Sequence, residues 1–263
     1  ALDFGENPVG TSIDPTMYLW DNNSNVYLIQ QPNYSGQNYA VYNALSGVGV
    51  QATSSHSNKE PNRYIKPGQA FLIRAKVGGT PNLVFNHNMR TDLNKVGNEF
   101  SQYFKNQENQ NDKFWLTLKT PTDIYNSIAI AYNANAKDEF DLFDSQLINN
   151  SANDLFYSLS NDDEKLAIQG RKGHFSIEDE VNLGMRYFTA GQYEIALGKT
   201  LGVFGSDQKI YLRDLVSDQE IDLTEQSYVF SAVTGDEVGR FQIVYKPGGV
   251  LNSDDFTNND TTV

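Results

Sequence analysis

The amino-acid sequence predicts an all-β protein, specifically an antiparallel β-sandwich or jelly-roll-like fold made of two closely packed lobes. Three observations support this prediction. Tyr and Phe occur 15 times each, and both residue types are enriched in strands. Short apolar runs alternate with polar residues at a period of two, which is typical of half-buried strands. Asn, Asp, Gly, Ser and Thr, which favour turns, fill the intervals between these runs.

The first predicted lobe spans residues 1–93. The segment MYLWDNNSNVYLIQ, residues 17–30, predicts a hairpin with Met17 and Leu19 on one face. The runs QNYAVYNA, QAFLIRAKV and NLVFNHNM follow with the same period. Pro67 and Gly68 precede the second of these runs and favour a type II turn, because Pro restricts φ and Gly tolerates φ above zero. They lead into a strand rather than a helix, so they do not indicate a phosphate-binding loop.

Residues 94–112 are polar and predict a loop or linker. The second predicted lobe, residues 113–247, contains short strands separated by turn residues. The predicted strands are FWLTLKT, SIAIAYNA, DLFYSLS, KLAIQG, VNLGMRYF, GQYEIAL, KIYLRDL, SYVFSAV and GRFQIVYK. KDEFDLFDSQLI, residues 137–148, fits a short helix or a carboxylate-rich loop equally well. Residues 248–263 predict an extended polar tail.

Composition excludes several classes of partner. The chain has 33 acidic and 20 basic residues and a formal net charge of -13, which disfavours nucleic acid as a partner because the protein would repel a phosphate backbone. It has no cysteine, so it has neither disulfides nor a thiolate nucleophile. Its sequence has no run of about 18 apolar residues, and membrane insertion is therefore not expected.

The order of several segments resembles a known region of exported bacterial proteins. These segments are YLWD, YIKPGQAFLIRAK, LVFNHNMRT, DEFDLFDSQLI and GRFQIVYK. They resemble the β-rich region preceding the sorting domain in large secreted and surface proteins of Bacteroidota, which are exported by the type IX secretion system. The resemblance implies a secreted, extracellular or cell-surface location, and other domains of a longer parent chain as partners. It leads us to expect a fragment or the processed end of a longer polypeptide.

The sequence shows no motif of a known catalytic site. His56, His87 and His174 are scattered, and neither a Gly-x-Ser-x-Gly elbow nor a His-Glu-x-x-His helix occurs. A glycoside hydrolase would need two carboxylates across a cleft, which a linear sequence cannot show. We therefore predict that the chain is not an enzyme, and a glycoside hydrolase domain is the least supported of the functions considered.

The sequence predicts no cofactor, with calcium at its two acidic clusters as the alternative. Hard oxygen ligands on flexible loops suit calcium, and the candidate ligands are Asp138, Asp141, Asp144, Asp162 and Asp163. The spacing of an EF-hand is absent. The alternative interpretation is that these carboxylates form the solvated faces of loops.

Aromatic residues beside Asn and Gln indicate a sugar-binding surface. A flat ring covers the apolar face of a sugar and neighbouring amides bind its hydroxyls. The candidates are Tyr18, Trp20, Tyr34, Tyr39 and Tyr42, and the alternative is cross-strand packing within the sheet. The sequence thus predicts a non-catalytic β-sandwich module with a structural or adhesive role, or alternatively a carbohydrate-binding module. Glycans or cell-surface proteins are the expected external partners.

Overall fold

The computed structural model describes residues 2–4, 13–21, 39–53, 60–75, 83–90, 112–148 and 154–247. Within these ranges the protein is all-β, without an α-helix. The predicted linker at 94–112 lies outside the described residues except for Asp112. The predicted tail at 248–263 also lies outside them. No helix among the described residues is both long enough and apolar enough to span a membrane.

Two small sheets come from the N-terminal part of the chain. A two-stranded sheet pairs β1 with β5, and a four-stranded antiparallel sheet has the order β4-β3-β2-β6. The strands are β1 (Leu2–Asp3), β2 (Ile13–Trp20), β3 (Tyr39–Asn43), β4 (Val48–Val50), β5 (Tyr64–Ile65) and β6 (Phe71–Ala75). The second half of the predicted hairpin at 17–30 falls largely outside the described residues, and within them β2 pairs with β3 and β6.

The main sheet contains the C-terminal strands. Ten strands follow the order β15-β14-β17-β12-β10-β11-β8-β7-β13-β16, and β9 pairs with β11 beside this path. The strands are β7 (Lys113–Lys119), β8 (Tyr125–Asn133), β9 (Ser145–Gln146), β10 (Leu155–Leu159), β11 (Lys165–Lys172), β12 (Glu180–Tyr187), β13 (Gly191–Leu201), β14 (Tyr211–Asp214), β15 (Gln219–Asp222), β16 (Tyr228–Ala232) and β17 (Gly235–Val244).

The prediction of an antiparallel fold is correct for all but one of the strand pairs in the described part of the chain. β8 and β11 run parallel, with Ile168 opposite Ala129 and Lys172 opposite Asn133. The long connection between them contains β9 and β10, and this crossover allows the two strands to point in the same direction. The main sheet is therefore mixed.

The main sheet curls until it nearly closes on itself. Alternate residues of eight of its strands point into one apolar core, which includes Phe114, Ile128, Phe156 and Phe241. The rings of Phe230 on β16 and Phe241 on β17 lie 4.8 Å apart, although these two strands are not paired along the sheet. Each fully buried large apolar side chain contributes about 1.5–3 kcal/mol, so this core is the principal source of stability.

The four-stranded sheet packs on the outer face of the main sheet. Tyr18, Val41 and Val50 meet Trp115 and several small residues of β8 and β11. The alanines among these small residues allow the two layers to approach closely. The opposite face of the small sheet forms a separate core around Phe4, Met17, Leu19, Tyr42 and Ile65. The predicted faces of β2 are confirmed, because Met17 and Leu19 share one core and Tyr18 lies in the other.

Pro67 and Gly68 form the predicted turn. Gly68 has a φ of 78°, and the N–H of Gln69 donates to the carbonyl of Lys66 at 3.1 Å. This is the bond that closes a β-turn, and a positive φ at the third position is the mark of type II. The turn leads into β6, so Pro67 and Gly68 redirect the chain.

Two other local predictions differ from the structure. The predicted strand NLVFNHNM instead ends in a 3-10 turn at His87–Met89, where Asn86 Oδ1 accepts from the N–H groups of Asn88 and Met89. A capping side chain of this kind competes with strand pairing for the backbone. Residues 137–148 form turns and the short strand β9 rather than a helix, so the loop interpretation of this segment is confirmed.

Candidate binding cleft

A narrow cleft lies where the small sheet meets the main sheet. Its apolar walls come from both layers, and its polar lining comes from Gln51, Thr53, Asn126 and Ser127. The enclosed volume is about 30 Å³, which accommodates one water-sized group rather than a whole sugar ring. Tyr18 and Tyr39 also line the cleft, so two of the aromatic residues predicted from the sequence lie at it.

The polar side chains of the cleft bond across the two layers. Gln51 Nε2 donates to Ser127 Oγ at 3.1 Å, and Thr53 Oγ1 donates to Asn126 Oδ1 at 2.9 Å. Asn126 is 4% exposed, and its Nδ2 has no hydrogen-bond partner among the described residues. A buried donor without a partner costs about 1–3 kcal/mol. Asn126 is therefore the side chain of the cleft that gains most from a bound acceptor.

Tyr18 has a structural role in the cleft. Its ring is buried between the layers, and its hydroxyl donates to the carbonyl of Gln146 at 2.9 Å. Burial raises the pKa of Tyr18 to about 12. The side chain therefore remains a neutral donor at physiological pH, and its bond to Gln146 ties β2 to the neighbouring strand β9.

Trp20 and Tyr39 form an aromatic pair at the end of the small sheet. They lie opposite each other in the register of β2 and β3, with ring centroids 5.2 Å apart in an edge-on arrangement. Both rings are half-buried, so each retains some accessible surface. Of the predicted sugar-binding residues, these two keep the most ring surface within the described part of the chain.

The remaining predicted sugar-binding residues do not join this pair. Tyr42 is buried in the core on the opposite face of the small sheet, because it is an odd number of residues from Tyr39 along the strand. Its ring is therefore not available to stack on a ligand. Tyr34 lies outside the described residues.

The predicted calcium ligands shape the loop between β8 and β9. Asp144 is buried, and its two oxygens accept from the N–H groups of Gly170 and Asp141 at 2.8 and 2.7 Å. Asp141 accepts from the N–H groups of Lys137 and Phe143. These carboxylates therefore accept hydrogen bonds from backbone N–H groups that have no strand partner in the loop.

Burial changes the acidity of Asp144. Removal from water raises the pKa of this carboxyl to about 7, although the N–H groups of Asp141 and Gly170 oppose the change. The neighbouring carboxylates of Asp141 and Asp162 add to the increase because they are negatively charged. Asp144 is therefore partly protonated near neutral pH.

The other predicted calcium ligands also have protein partners or lie in turns. Asp162 Oδ1 accepts from the N–H of Phe140 at 2.9 Å, and Asp138 Oδ1 accepts from the N–H of Lys172 at 3.2 Å. Asp163 has a positive φ of 62° in a turn. In the ranges that the structure describes, no three acidic or histidine side chains lie together as a metal-binding group. Calcium binding at this loop stays a prediction.

The glycine-containing segment GVFG and the histidines lie outside the predicted sites. GVFG forms a 3-10 turn at Gly202–Gly205, and the N–H of Val203 donates to Asp112 Oδ1 at 2.8 Å. This bond ties the turn to the start of β7, which Asp112 directly precedes. His87 and His174 are exposed, and His56 lies outside the described residues.

A second polar group lies at one end of the main sheet. Arg240 donates to both oxygens of Asp214, from Nε at 2.9 Å and from Nη2 at 2.8 Å. Tyr228 donates from its hydroxyl to Asp214 Oδ2 at 2.8 Å. Tyr187 donates to Glu237 Oε2 at 2.6 Å, and Arg240 Nη1 lies 3.4 Å from the same oxygen.

The opposite end of the main sheet is filled by rings and a buried ion pair. Tyr132 and Tyr245 share a hydrogen bond between hydroxyls 2.8 Å apart, and Tyr132 also donates to Asp179 Oδ2 at 2.7 Å. Arg171, which is 5% exposed, makes two side-chain hydrogen bonds to Asp179. Burial raises the pKa of both tyrosines, so they remain neutral donors.

Several of these residues were not predicted from the sequence. Gln51 and Thr53 are isolated polar residues more than 70 positions before Asn126 in the sequence, and Glu237 is one of many acidic residues. The sequence offers a sign only for Asn126. It lies two residues before Ile128 on β8, so the period of two predicts that its side chain is buried. Their convergence depends on the packing of the two sheets.

The chain matches one family model, described as a domain of unknown function (DUF8693), over residues 3–245. No curated protein matches the sequence. No solved structure matches it either.

Proposed function

This chain belongs to the DUF8693 family, and from that premise we propose that it is a non-catalytic β-module of a secreted or cell-surface bacterial protein. Its role is structural or adhesive, and its two layers act as a sandwich. The observation that carries the proposal is the hydrogen-bonded junction between the small sheet and the main sheet. This junction uses buried polar side chains to hold the layers in one arrangement.

Asn43 is the centre of the junction. Its Nδ2 lies 3.0 Å from the carbonyl of Asp144 and 3.1 Å from that of Leu142, while its Oδ1 accepts from the N–H groups of Leu45 and Ser46. Beside it, Trp115 Nε1 donates to the carbonyl of Gly49 at 2.7 Å. The two polar atoms of Asn43 and the indole N–H of Trp115 thus all have partners, and buried hydrogen bonds of this kind favour one arrangement of the layers.

The charged residues support the same proposal. Asp144, Asp179 and Asp214 accept from backbone N–H groups or from arginine, so each serves to close a loop or an end of the main sheet. The resemblance to the region before the sorting domain of type IX secretion substrates supports an extracellular location. An exported module must stay folded without disulfides, since the chain has no cysteine, and a buried polar junction supplies that rigidity.

Cooperative unfolding tests whether the layers act as one module. We expect urea unfolding followed by Trp fluorescence and by far-UV circular dichroism to give coincident transitions. Asn43→Ala should lower the midpoint and separate the two signals, since it leaves the carbonyls of Leu142 and Asp144 without this donor. Asn135→Ala, at an exposed position, is the matched control. Separate transitions in the wild type would contradict the proposal.

Location is tested independently in the source cell. An epitope tag is placed next to this domain in its parent protein. We expect the tag to be digested when protease is added to intact cells. Retention of the epitope under conditions that digest a known surface protein would contradict a surface location, and its absence from the culture medium would contradict secretion.

A second candidate function is carbohydrate binding at the cleft. It is favoured by Tyr39, which packs against the half-buried ring of Trp20 and lines the same cleft as Asn126. The Nδ2 of Asn126 has no hydrogen-bond partner among the described residues. A sugar ring would lie against the aromatic pair, and one hydroxyl would enter the small cavity and accept from Asn126. The volume of the cavity fits such a hydroxyl and no larger group.

Affinity electrophoresis in gels containing bacterial and plant polysaccharides tests this function. Trp20→Ala and Asn126→Asp should each abolish retardation, the first by removing the ring and the second by replacing the donor with an acceptor. Tyr211→Ala changes a half-buried tyrosine of the main sheet and should bind as the wild type does. If no polysaccharide slows the wild-type protein in the gel, carbohydrate binding is contradicted.

A further inference from the structure

The nearly closed main sheet has an open seam between β16 and the first half of β17. Among the strands that the structure describes, β16 is the last of the sheet and pairs only with β13. On β17, residues 235–238 pair with β12 on one side, whereas β14 pairs only with residues 241–244. Between the two free edges lies a cavity of about 340 Å³, which is within the usual range for a binding site.

The seam stays open because β17 changes register at its centre. Leu183 lies opposite Phe241 but the next residue, Gly184, lies opposite Val238, so two residues bulge from the strand. One of them is Gly239, whose φ of 80° suits glycine. The other is Arg240, whose guanidinium carbon lies 5.0 Å from the ring of Phe230 and 4.6 Å from that of Phe241. This side chain occupies the space where backbone pairing would otherwise close the sheet.

Within the cavity, Glu237 has unused binding capacity. Its Oε2 accepts from Tyr187 and Arg240, and within the described residues its Oε1 has no hydrogen-bond partner. Arg240 is already neutralised by Asp214, and Asp236 is paired with Arg186. The cavity therefore carries the net negative charge of Glu237.

Two hydroxyl groups complete the polar lining of the cavity, those of Ser231 and Thr234. No hydrogen bond of either hydroxyl occurs among the residues that the structure describes. A carboxylate oxygen and two hydroxyls form a set of acceptors that suits the three donors of a lysine ammonium.

The rim of the seam carries exposed valines, and no strand of the described ranges pairs with the outer edge of β16. Val229, Val233 and Val238 are 53%, 79% and 58% exposed, and all three lie on the two strands or the turn that joins them. In an antiparallel edge strand, alternate residues direct N–H and C=O groups away from the paired neighbour. The seam thus combines the unpaired edge of β16, exposed valine side chains and the carboxylate of Glu237.

We propose that this seam is a docking site for an extended, lysine-bearing segment of another polypeptide. The segment adds to the free edge of β16 as a strand, its lysine ammonium binds Glu237, and its flanking apolar side chains cover Val229 and Val233. The net charge of -13 on the chain attracts a basic partner from a distance. This site is separate from the cleft between the sheets, and its occupation does not depend on carbohydrate binding.

Fluorescence anisotropy with synthetic capped peptides tests the proposal on the whole chain. The probe is a labelled Thr-Val-Lys-Val-Thr peptide, compared with peptides in which the lysine is replaced by glutamine or glutamate. We expect the lysine peptide to bind at least about tenfold more tightly than either, with affinity that falls as salt is raised. A peptide with N-methyl groups on alternate amides should lose binding, because it cannot pair with β16.

Variants of the protein separate the parts of the site. Glu237→Gln should lower the affinity for the lysine peptide about tenfold or more and leave the affinity for the glutamine peptide unchanged. Glu225→Gln, at an exposed position elsewhere, should change neither affinity. Val229→Lys places a charge on the exposed side of the edge strand. It should lower the affinity for both peptides and leave the fold intact. Amide hydrogen exchange at residues 228–232 should slow when the lysine peptide is bound.

Three results would overturn the proposal. The first is equal binding of the lysine and glutamate peptides, and the second is no binding of any peptide at millimolar concentration. The third is dimerisation of the wild type through β16 in sedimentation experiments without peptide, which would show that a second copy occupies the seam. Circular dichroism of Glu237→Gln establishes that a loss of binding does not come from unfolding.

Discussion

Arg240 binds Asp214 through two parallel hydrogen bonds at the end of the curled sheet, with Nε to Oδ1 at 2.9 Å and Nη2 to Oδ2 at 2.8 Å. Asp214 is 1% exposed. Burial alone would raise its pKa, but the bonds from Arg240 and Tyr228 hold the pKa well below the usual range. This carboxylate is therefore ionised at neutral and mildly acidic pH, and it stabilises β14, β16 and β17 together.

Asp214→Asn should destabilise the protein by roughly 3–5 kcal/mol. The substitution removes the buried carboxylate and leaves the half-buried guanidinium of Arg240 with only the longer contact to Glu237, and breaking a buried pair is more costly than losing one hydrogen bond. The free energy of unfolding in urea measures the effect. Glu178→Gln, which removes the partner of Lys246 at the surface, should change stability by less than about 1 kcal/mol. Equal effects of the two substitutions would contradict this account of the seam.

Asp144 predicts a pH dependence of stability. The pKa of this carboxyl is raised to about 7 by burial, above its unfolded value of about 3.9. Between these values the folded protein binds more protons than the unfolded chain, so the contribution of Asp144 to stability falls as pH rises from about 4 to about 7. Above pH 7 this contribution no longer changes. The full difference is roughly 2–4 kcal/mol.

A comparison of the wild type with Asp144→Asn isolates this effect. The variant does not titrate, so the difference in unfolding free energy between the two proteins should change with pH in favour of the wild type as pH is lowered from 7.5 to 4.5. Carboxyl carbon shifts in NMR should give a midpoint near neutral pH for Asp144. A difference between the proteins that is the same at both pH values would show that Asp144 ionises normally.

Gly184 on β12 is required for packing against the ring of Tyr157, which lies opposite it on β10. A Cβ at this position would lie 2.1 Å from a ring atom of Tyr157, and Tyr157 is fully buried. Gly184→Ala should therefore cost about 3 kcal/mol or more, because the ring has no space into which to move. Thermal unfolding measures the loss. Gly205→Ala, where the nearest atom would be 3.6 Å away, should melt within a few degrees of the wild type.

Trp115 joins the two layers through its indole N–H. Trp115→Phe keeps most of the apolar ring but leaves the carbonyl of Gly49 without its donor at 2.7 Å, and we expect a loss of about 1–3 kcal/mol. Amide hydrogen exchange should become faster in β4 and remain unchanged in β14, which lies away from the junction. Equal acceleration in both strands would mean that the bond stabilises the whole fold rather than the contact between layers.

Much of the secondary structure was predictable from the sequence, because half-buried strands show their period directly. All nine predicted strands of the main sheet are present, from FWLTLKT to GRFQIVYK. β15, with the sequence QEID, was missed since Ile221 is its only apolar residue. The parallel pairing of β8 with β11 was also missed, because alternation reveals which face of a strand is buried but not which strand lies beside it.

The candidate sites were less predictable than the strands. Tyr18 and Tyr39 were recognised as aromatic residues beside amides, but their burial depends on the second layer that packs on β2 and β3. The open seam follows from a two-residue bulge at Gly239 and Arg240, which no local pattern of residue types indicates. Contacts between distant segments thus determine both sites.

The central claim is that the buried acidic residues hold this module together and do not act on a substrate. Release of reducing ends from a panel of polysaccharides, measured with the wild type and with Asp214→Asn and Glu237→Gln, tests it most directly. The account predicts no release above the blank for any of the three proteins. Release by the wild type that is lost in either variant, while circular dichroism shows that the variant remains folded, would contradict it.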